Sequence, residues 1–257
     1  MLTTRFGDTY STAYVLPLAM VEDDIARVRS PQVQQVANAD GAFDFNGASA
    51  WPIAAGTVKK RAIVTAATWQ AVDVTLDALH AATIAPGEQR LWAEMRDGSK
   101  RWAWAKCLSI HAPDKVGQPF HCPIELEFTL REGLWYAETA KTQTQAGAAT
   151  IALVNSGDVR VPVSVSVTAN ATATTAYAVG APGRGWSFAG TLAGTKTLIV
   201  DAAAYVATNN ALNCFSSLSI TDRAAFWFYL EPGSNSVTIT FTGGNPTAVL
   251  AWNEVYL

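Results

Sequence analysis

Regular alternation of apolar and polar side chains predicts a mainly β protein. In residues 123–130 every second position is apolar, which is the period of a strand with one buried face. Two further alternating segments, 90–95 and 101–107, flank Asp97 and Gly98. An Asp-Gly pair between such segments predicts a tight hairpin, because the turn needs positive φ angles. Residues 25–29 also alternate and predict another half-buried strand.

One segment of the first half has helical spacing instead. Apolar side chains recur there every three or four residues: Trp69, Val72, Leu76, Leu79 and Ala82. Pro86 and Gly87 follow and are unfavourable in a helix. The pattern predicts an amphipathic helix from Thr68 to Thr83.

The second half contains only strand patterns. The β-branched and aromatic segments are Ile151–Val154, Val161–Thr168, Thr197–Asp201, Ala225–Leu230, Ser236–Thr242 and Ala248–Val255. Clusters of glycine, proline and asparagine separate them, and the glycine-rich stretch 180–185 is interpreted as a loop. Short strands at regular spacing without an intervening helix predict an antiparallel β-sandwich.

The density of charge changes near residue 139, which indicates two domains. Residues 1–139 contain 13 basic and 16 acidic side chains, whereas residues 140–257 contain 5 of each. We therefore expect one domain over 1–138 and a second over 148–257. The stretch 139–147 is polar and without periodicity, so it is expected to be a linker.

Overall charge and cysteine content limit the classes of function. The net charge of −3 and pI of about 5.6 argue against a protein-wide nucleic-acid-binding surface. The nine-residue apolar run 13–21 contains Pro17 and is too short to span a bilayer, so no membrane association is expected. Three cysteines form no disulfide framework, which favours synthesis in a reducing cytoplasm.

Two clusters of chemically active side chains were considered as sites. Cys107, His111, His121 and Cys122 are ligand types for zinc, but Cys107 and His111 would lie about 13 Å apart on a strand, too far to share one ion. Glu125 and Glu127 share a strand face, as a glycosidase pair would, but a solvated strand face explains them better. We therefore assign no catalytic residue, no cofactor and no metal.

Short motifs occur in a characteristic order along the chain. They are Arg5-Phe6-Gly7, the stretch 41–47, Leu76-Asp77-Ala78-Leu79, Gln89-Arg90-Leu91, the stretch 97–101, Phe128 with Leu134-Trp135-Tyr136, the stretch 155–158 with Pro162, Leu198-Ile199-Val200-Asp201, and the stretch 228–235. In this order they resemble the distal tail protein family of long-tailed, siphovirus-type bacteriophages over essentially the whole chain. Each motif is weakly specific, but the ordered set with the change in composition is more specific.

The resemblance implies an architecture and a location. It implies an amino-terminal β-sandwich with one helix, related to tail-tube subunits, and a carboxy-terminal galectin-like sandwich. It also implies a hexameric ring at the distal end of the virion tail, joining the tail tube protein to the tail-tip hub protein. DNA would pass through the ring without specific binding. Neither half has room for the carbohydrate-binding module that some members insert.

The residues themselves add a candidate ring interface in the first half. It consists of basic side chains and of tryptophans from the predicted hairpin: Arg27, Arg29, Lys59, Lys60, Arg61, Trp92, Trp102 and Trp104. Basic and aromatic side chains are enriched where subunits meet. Exposed aromatic rings also bind sugars, so a β-sandwich carbohydrate-binding or adhesin module remains the alternative function.

Overall fold

The computed structural model describes residues 4–17, 24–26, 33–35, 42–44, 56–112, 121–221 and 227–257. The chain divides into two units, one formed by residues 1–138 with Leu257 and the other by Thr139–Tyr256. In the described residues all strand pairs are antiparallel and there is one α-helix, so the predicted fold class is confirmed.

The amino-terminal unit is built on one large sheet and the helix. Its elements are β1 (Thr4–Phe6), β2 (Tyr14–Val15), β3 (Asp24–Ala26), β4 (Val33–Gln35), β5 (Ala42–Asp44), β6 (Thr57–Thr65), α1 (Trp69–Thr83), β7 (Glu88–Glu94), β8 (Lys100–His111), β9 (His121–Leu130) and β10 (Trp135–Ala137). The sheet order is β2-β1-β7-β8-β9-β6-β3, with β10 also paired to β8, and β4 pairs with β5.

One face of this sheet forms the core of the unit. The apolar positions of β9 are fully buried, and the ring of Phe128 lies 5.4 Å from that of Phe6. The helix begins after Thr68, whose Oγ1 accepts a hydrogen bond from the Ala71 N–H at 3.1 Å. Its buried side chains include Val72 and Leu79, so the helical pattern is confirmed.

The carboxy-terminal unit is a two-sheet β structure. Its strands are β11 (Lys141–Ala146), β12 (Ala149–Asn155), β13 (Val161–Pro162), β14 (Ser164–Thr168), β15 (Thr174–Ala181), β16 (Arg184–Leu192), β17 (Thr197–Asp201), β18 (Val206–Asn209), β19 (Leu212–Asn213), β20 (Leu218–Ile220), β21 (Tyr229–Leu230), β22 (Gly233–Phe241), β23 (Thr247–Trp252) and β24 (Val255–Tyr256). One sheet has the order β11-β23-β14-β17-β18-β19 and the other β12-β22-β15-β16-β20, while β13 pairs with β21.

The predicted linker 139–147 is wrong. Residues Lys141–Ala146 form β11, which pairs in continuous register with Thr247–Trp252 of β23. Its polar side chains are mostly exposed because β11 is an edge strand, and such a strand does not need the apolar alternation that marks a buried one. The unit boundary therefore lies before β11.

Two other strand predictions change in detail. The glycine-rich stretch 180–185 is the tip of the β15–β16 hairpin, where Pro182 and Gly183 connect the two strands. Gly183 has a φ of 77°, which suits glycine in such a turn. Of the predicted strand 225–230, only Tyr229 and Leu230 are a strand, and residues 225–226 lie outside the described residues.

A buried carboxylate holds β11 to the end of the carboxy-terminal unit. Glu254 is 4% exposed, and its Oε1 accepts hydrogen bonds from Lys141 Nζ and the Ser156 N–H, both at 2.7 Å. The hydroxyl of Tyr256 donates to its Oε2 at 3.0 Å. Burial alone would raise the pKa of Glu254, but these hydrogen bonds outweigh it and lower the pKa.

We expect Glu254→Gln to destabilise the carboxy-terminal unit at pH 7 by about 1–3 kcal/mol, because the substitution removes a charged acceptor from a buried network. A lowered pKa stabilises the folded state above the pKa of the unfolded chain, and this contribution is lost as the pH falls through the folded value. The difference between the variant and the native chain should therefore shrink on acidification. Urea unfolding of both chains at a series of pH values measures this difference in the free energy of unfolding. The exposed Glu231→Gln is the control, and an equal pH dependence of both variants contradicts the prediction.

Candidate interaction surface

The face of the large sheet that points away from the core carries tryptophans and cations. Cross-strand pairing places Trp92 opposite Trp102 and Arg90 opposite Trp104. The two pairs are two residues apart along each strand, so all four side chains point to the same face of the sheet. Tyr136 of β10 lies opposite Trp102 on its other side. We call Arg90, Trp92, Trp102, Trp104 and Tyr136 the Arg–Trp face.

The side chains of the Arg–Trp face stack closely on one another. The guanidinium of Arg90 lies 4.4 Å from the ring centre of Trp102 and 5.4 Å from that of Trp104. The rings of Trp102 and Tyr136 are stacked, with centres 4.7 Å apart and an angle of 22° between planes. A cation held between aromatic rings lies in the favourable part of their electric field. The face is therefore a preordered aromatic surface, and Trp102, Trp104 and Tyr136 remain partly exposed.

Ion pairs and hydrogen bonds anchor the border of the Arg–Trp face. Arg131 lies 5.0 Å from the ring centre of Trp104 and pairs with Glu88, and this hydrogen bond lowers the pKa of Glu88. Burial, with a further contribution from a 2.5 Å hydrogen bond to Glu132, raises the pKa of the Tyr136 hydroxyl. The tyrosine is therefore neutral at physiological pH, and Arg131 and Glu88 are both charged.

The same side of the sheet continues into a ladder of ion pairs. Lys59 Nζ lies 3.8 Å from Glu127, and Arg61 Nε lies 2.9 Å from Glu125. The two glutamates of β9 thus face two cations of β6 on an open surface, which agrees with a solvated strand face. Exposed pairs of this kind contribute about 0–1 kcal/mol each, so the ladder adds more to specificity than to affinity.

The structure brings most of the sequence-predicted interface residues to this one face. Lys59, Arg61, Trp102 and Trp104 lie there and are partly or fully exposed. Trp92 also points to this face but is 3% exposed, because Tyr10 covers it and its Nε1–H donates to the Gly7 carbonyl at 2.9 Å. Trp92 therefore supports the surface rather than contacting a partner.

One described candidate lies on the opposite face. Lys60 is 4% exposed in the core, where its Nζ donates to Thr4 Oγ1 at 3.1 Å, so it is removed from the proposed interface. Alternation along β6 is the reason, since consecutive residues point to opposite sides of a strand. Arg27 and Arg29 lie outside the described residues.

Sequence reasoning missed three parts of this surface: Arg90, Arg131 and Tyr136. Arg90 could have been found, because it precedes Trp92 by two residues and therefore shares its strand face. Arg131 and Tyr136 have no comparable signal, since they come from the turn after β9 and from another strand.

The cysteine and histidine cluster does not come together. Among the described residues, no group of three or more His, Cys, Asp or Glu side chains is arranged to hold a metal ion. Cys107, Cys122 and Cys214 are buried free thiols. His80 is exposed on α1. In the described part of the chain, no helix combines the length and apolar character needed to cross a bilayer.

A groove of about 480 Å³ lies on the outer face of the second sheet of the carboxy-terminal unit. Its polar side chains are hydroxyls: Ser187, Ser219, Thr221, Ser236, Thr238 and Thr240. Among the described lining residues the charged one is Arg184, whose guanidinium donates to the Tyr229 carbonyl at 2.8 Å and to Asn235 Oδ1 at 2.6 Å. Arg184 thus stabilises the fold.

Comparison with known proteins gives matches among solved structures only. No protein-family model matches the chain, and no curated protein is significantly similar in sequence. The crystal structure of the Dit protein of phage SPP1, described as a paradigm of the hub adsorption apparatus in phages that infect Gram-positive bacteria, matches with a TM-score of 0.66. The match covers 100% of both chains at 14% identity.

A second match is a chain of the phage P2 baseplate in its activated conformation. It covers 98% of this chain and 97% of that one, with 8% identity and a TM-score of 0.44, too low to support an inference. The match to the SPP1 protein does establish the fold. It confirms, at the level of fold, the resemblance to distal tail proteins seen in the sequence.

Proposed function

We propose that the chain is a structural subunit of the tail tip of a long-tailed bacteriophage. Six copies form a ring that joins the tail tube protein to the tail-tip hub protein, and the central channel lets DNA pass without specific binding. The observation that carries this proposal is the whole-length similarity in fold to the SPP1 Dit protein. The ordered motifs of the sequence support the same assignment independently of the structure.

In this proposal the amino-terminal unit makes the ring. A closed ring repeats one contact between two different faces of each subunit. The Arg–Trp face has the properties of one such face, because it is rigid, partly exposed and rich in tryptophan and arginine. The neighbouring ladder of Lys59, Arg61, Glu125 and Glu127 carries alternating charges that could fix the register between subunits.

The carboxy-terminal unit occupies the periphery of the proposed ring. Its outer sheet faces carry serine, threonine and small side chains, a composition suited to a solvated surface. The amino-terminal residues 1–139 have a net charge of −3, so the channel wall is proposed to be anionic, which would keep the DNA backbone from adhering. We propose the distal end of the virion tail as its location, after synthesis in the host cytoplasm.

The native mass of the purified full-length chain tests the ring. We expect light scattering after size-exclusion chromatography to give about six times the 27.3 kDa of one chain. Negative-stain images should show sixfold rings with a central opening. A single-chain mass that persists at high protein concentration would contradict the proposal.

A further inference from the structure

The side of α1 that points away from the large sheet carries apolar side chains and a carboxylate. Val72 and Leu79 face the core and are fully buried, whereas Val74, on the other side of the helix, is 67% exposed. Three further exposed residues lie within two helix turns of Val74 on that side. Together they form what we call the outer strip of α1: Val74, Asp77, Ala78 and Ala81. The outer strip therefore offers a partner an apolar contact area with one negative charge.

The helix itself offers negative charge and no strong cation. No residue from 62 to 87 is a lysine or an arginine, and α1 contains two carboxylates, Asp73 and Asp77. In the described part of the chain no ion pair engages Asp77, whose side chain is exposed. A partner that covers the outer strip therefore needs a cation opposite Asp77, because a carboxylate that loses its water without such a partner is costly.

The Arg–Trp face offers the matching aromatic surface and cations. Lys106 borders this face two residues after Trp104, on the same side of β8, and is exposed. The neighbouring carboxylate of Glu88 is already bonded to Arg131. That hydrogen bond lowers the pKa of Glu88, and the charge of Lys106 adds a smaller effect. Lys106 therefore remains available to a second carboxylate, beside the partly exposed ring of Trp104.

The outer strip and the Arg–Trp face lie on opposite sides of the large sheet. Helix α1 packs on the core side, where Thr83 lies beside the Cys107 thiol, whereas Trp102 and Trp104 point away from the core. A contact between the two surfaces therefore joins two copies head to tail, which is the kind of contact that a ring repeats. Their lengths also match. The 15 residues of α1 span about 22 Å, and β8 from Lys100 to Lys106 spans about 20 Å.

We propose that α1 of one copy docks on the Arg–Trp face of the next copy, with Asp77 facing Lys106. The inference rests on the proposed ring and names the second of the two surfaces that the ring contact needs. Val74 and the alanines of the outer strip pack against the rings of Trp102 and Trp104, because small side chains let the flat rings approach the helix closely. The pair of Asp77 and Lys106 fixes the register of the helix on the face.

Charge reversal on each side of the contact, read out as native mass by light scattering, tests the proposal. We expect Asp77→Arg and Lys106→Glu, each alone, to elute with the 27.3 kDa mass of one chain, because each variant places like charges opposite each other. An equimolar mixture of the two variants should regain about six times that mass. In an alternating ring every substituted helix meets a substituted face and every native helix a native face, and an even number of copies closes this pattern. Recovery in the mixture also shows that both variants are folded.

The matched control is Glu231→Arg, which reverses an exposed carboxylate of the carboxy-terminal unit and should keep the native mass. The proposal is overturned if either Asp77→Arg or Lys106→Glu alone keeps the native mass, or if their mixture stays at the mass of one chain. A native chain that is itself single contradicts the ring and this contact together. A native ring that persists in Asp77→Arg contradicts the contact alone, so the two failures are distinguishable.

Discussion

Arg90→Ala is expected to convert the proposed ring into single chains. The guanidinium of Arg90 lies against Trp102 and Trp104 and donates to the Asp8 carbonyl at 3.0 Å. Its loss removes the cation that the two tryptophans share, while Arg131 stays 5.0 Å from the ring centre of Trp104. Arginine and tryptophan at the centre of an interface each contribute about 2 kcal/mol or more to binding. Loss of that contribution raises the dissociation constant of one subunit contact about 30-fold. A ring repeats that loss at every contact.

Light scattering on native and variant chains at equal concentration measures this effect. The variant should elute with the 27.3 kDa mass of one chain and keep its far-ultraviolet circular dichroism. Lys196→Ala removes one positive charge from an exposed turn of the carboxy-terminal unit and should leave the ring intact. An unchanged mass for Arg90→Ala would show that the Arg–Trp face is not the contact.

Sequence pattern predicted the helix and strands β7, β8 and β9 of the amino-terminal unit because one face of these strands is buried, but it did not predict β6. Strand β9 and the β7–β8 hairpin follow the alternation of their side chains, and α1 follows its capping threonine and apolar spacing. One local irregularity is invisible in sequence. A bulge between Cys107 and Ser109 interrupts the pairing of β8 with β9 at Leu108, which is 54% exposed.

Several strands of the carboxy-terminal unit were not predicted because small residues interrupt their apolar positions. Strands β15, β16 and β18 contain alanine and glycine, whose strand propensity is low. Their identity as strands depends on pairing with distant partners such as β22. The edge strand β11 was mistaken for a linker because its exposed polar side chains show no apolar alternation.

The candidate surfaces show a similar limit. The hairpin signal placed Trp102 and Trp104 on one strand face, where the structure has them partly exposed, but burial of Trp92 depends on Tyr10, which is 82 residues away in the chain. The predicted strand Ala225–Leu230 likewise gave no sign that the ring of Trp227 contacts those of Tyr205 and Phe215. These three residues are separated in the sequence, so their convergence is a property of the fold.

Phe128→Ala is expected to unfold the amino-terminal unit at a markedly lower temperature. Phe128 is 0% exposed at the centre of the sheet and packs against Phe6. Truncation of a buried phenylalanine costs about 3–5 kcal/mol, because burial is lost and a cavity remains. For a unit of this size the loss corresponds to a decrease in Tm of about 10–15 °C.

The same variant tests whether the two units fold independently, as we propose from the change in charge density near residue 139. Differential scanning calorimetry of the native chain should then resolve two transitions, and Phe128→Ala should lower only one of them. The control is Thr129→Ala, which changes the next residue of β9, on its partly exposed side. This variant should shift neither transition temperature by more than about 2–3 °C. Because an independent carboxy-terminal unit has no contact with the new cavity, an equal shift of both transitions would show that the units unfold together.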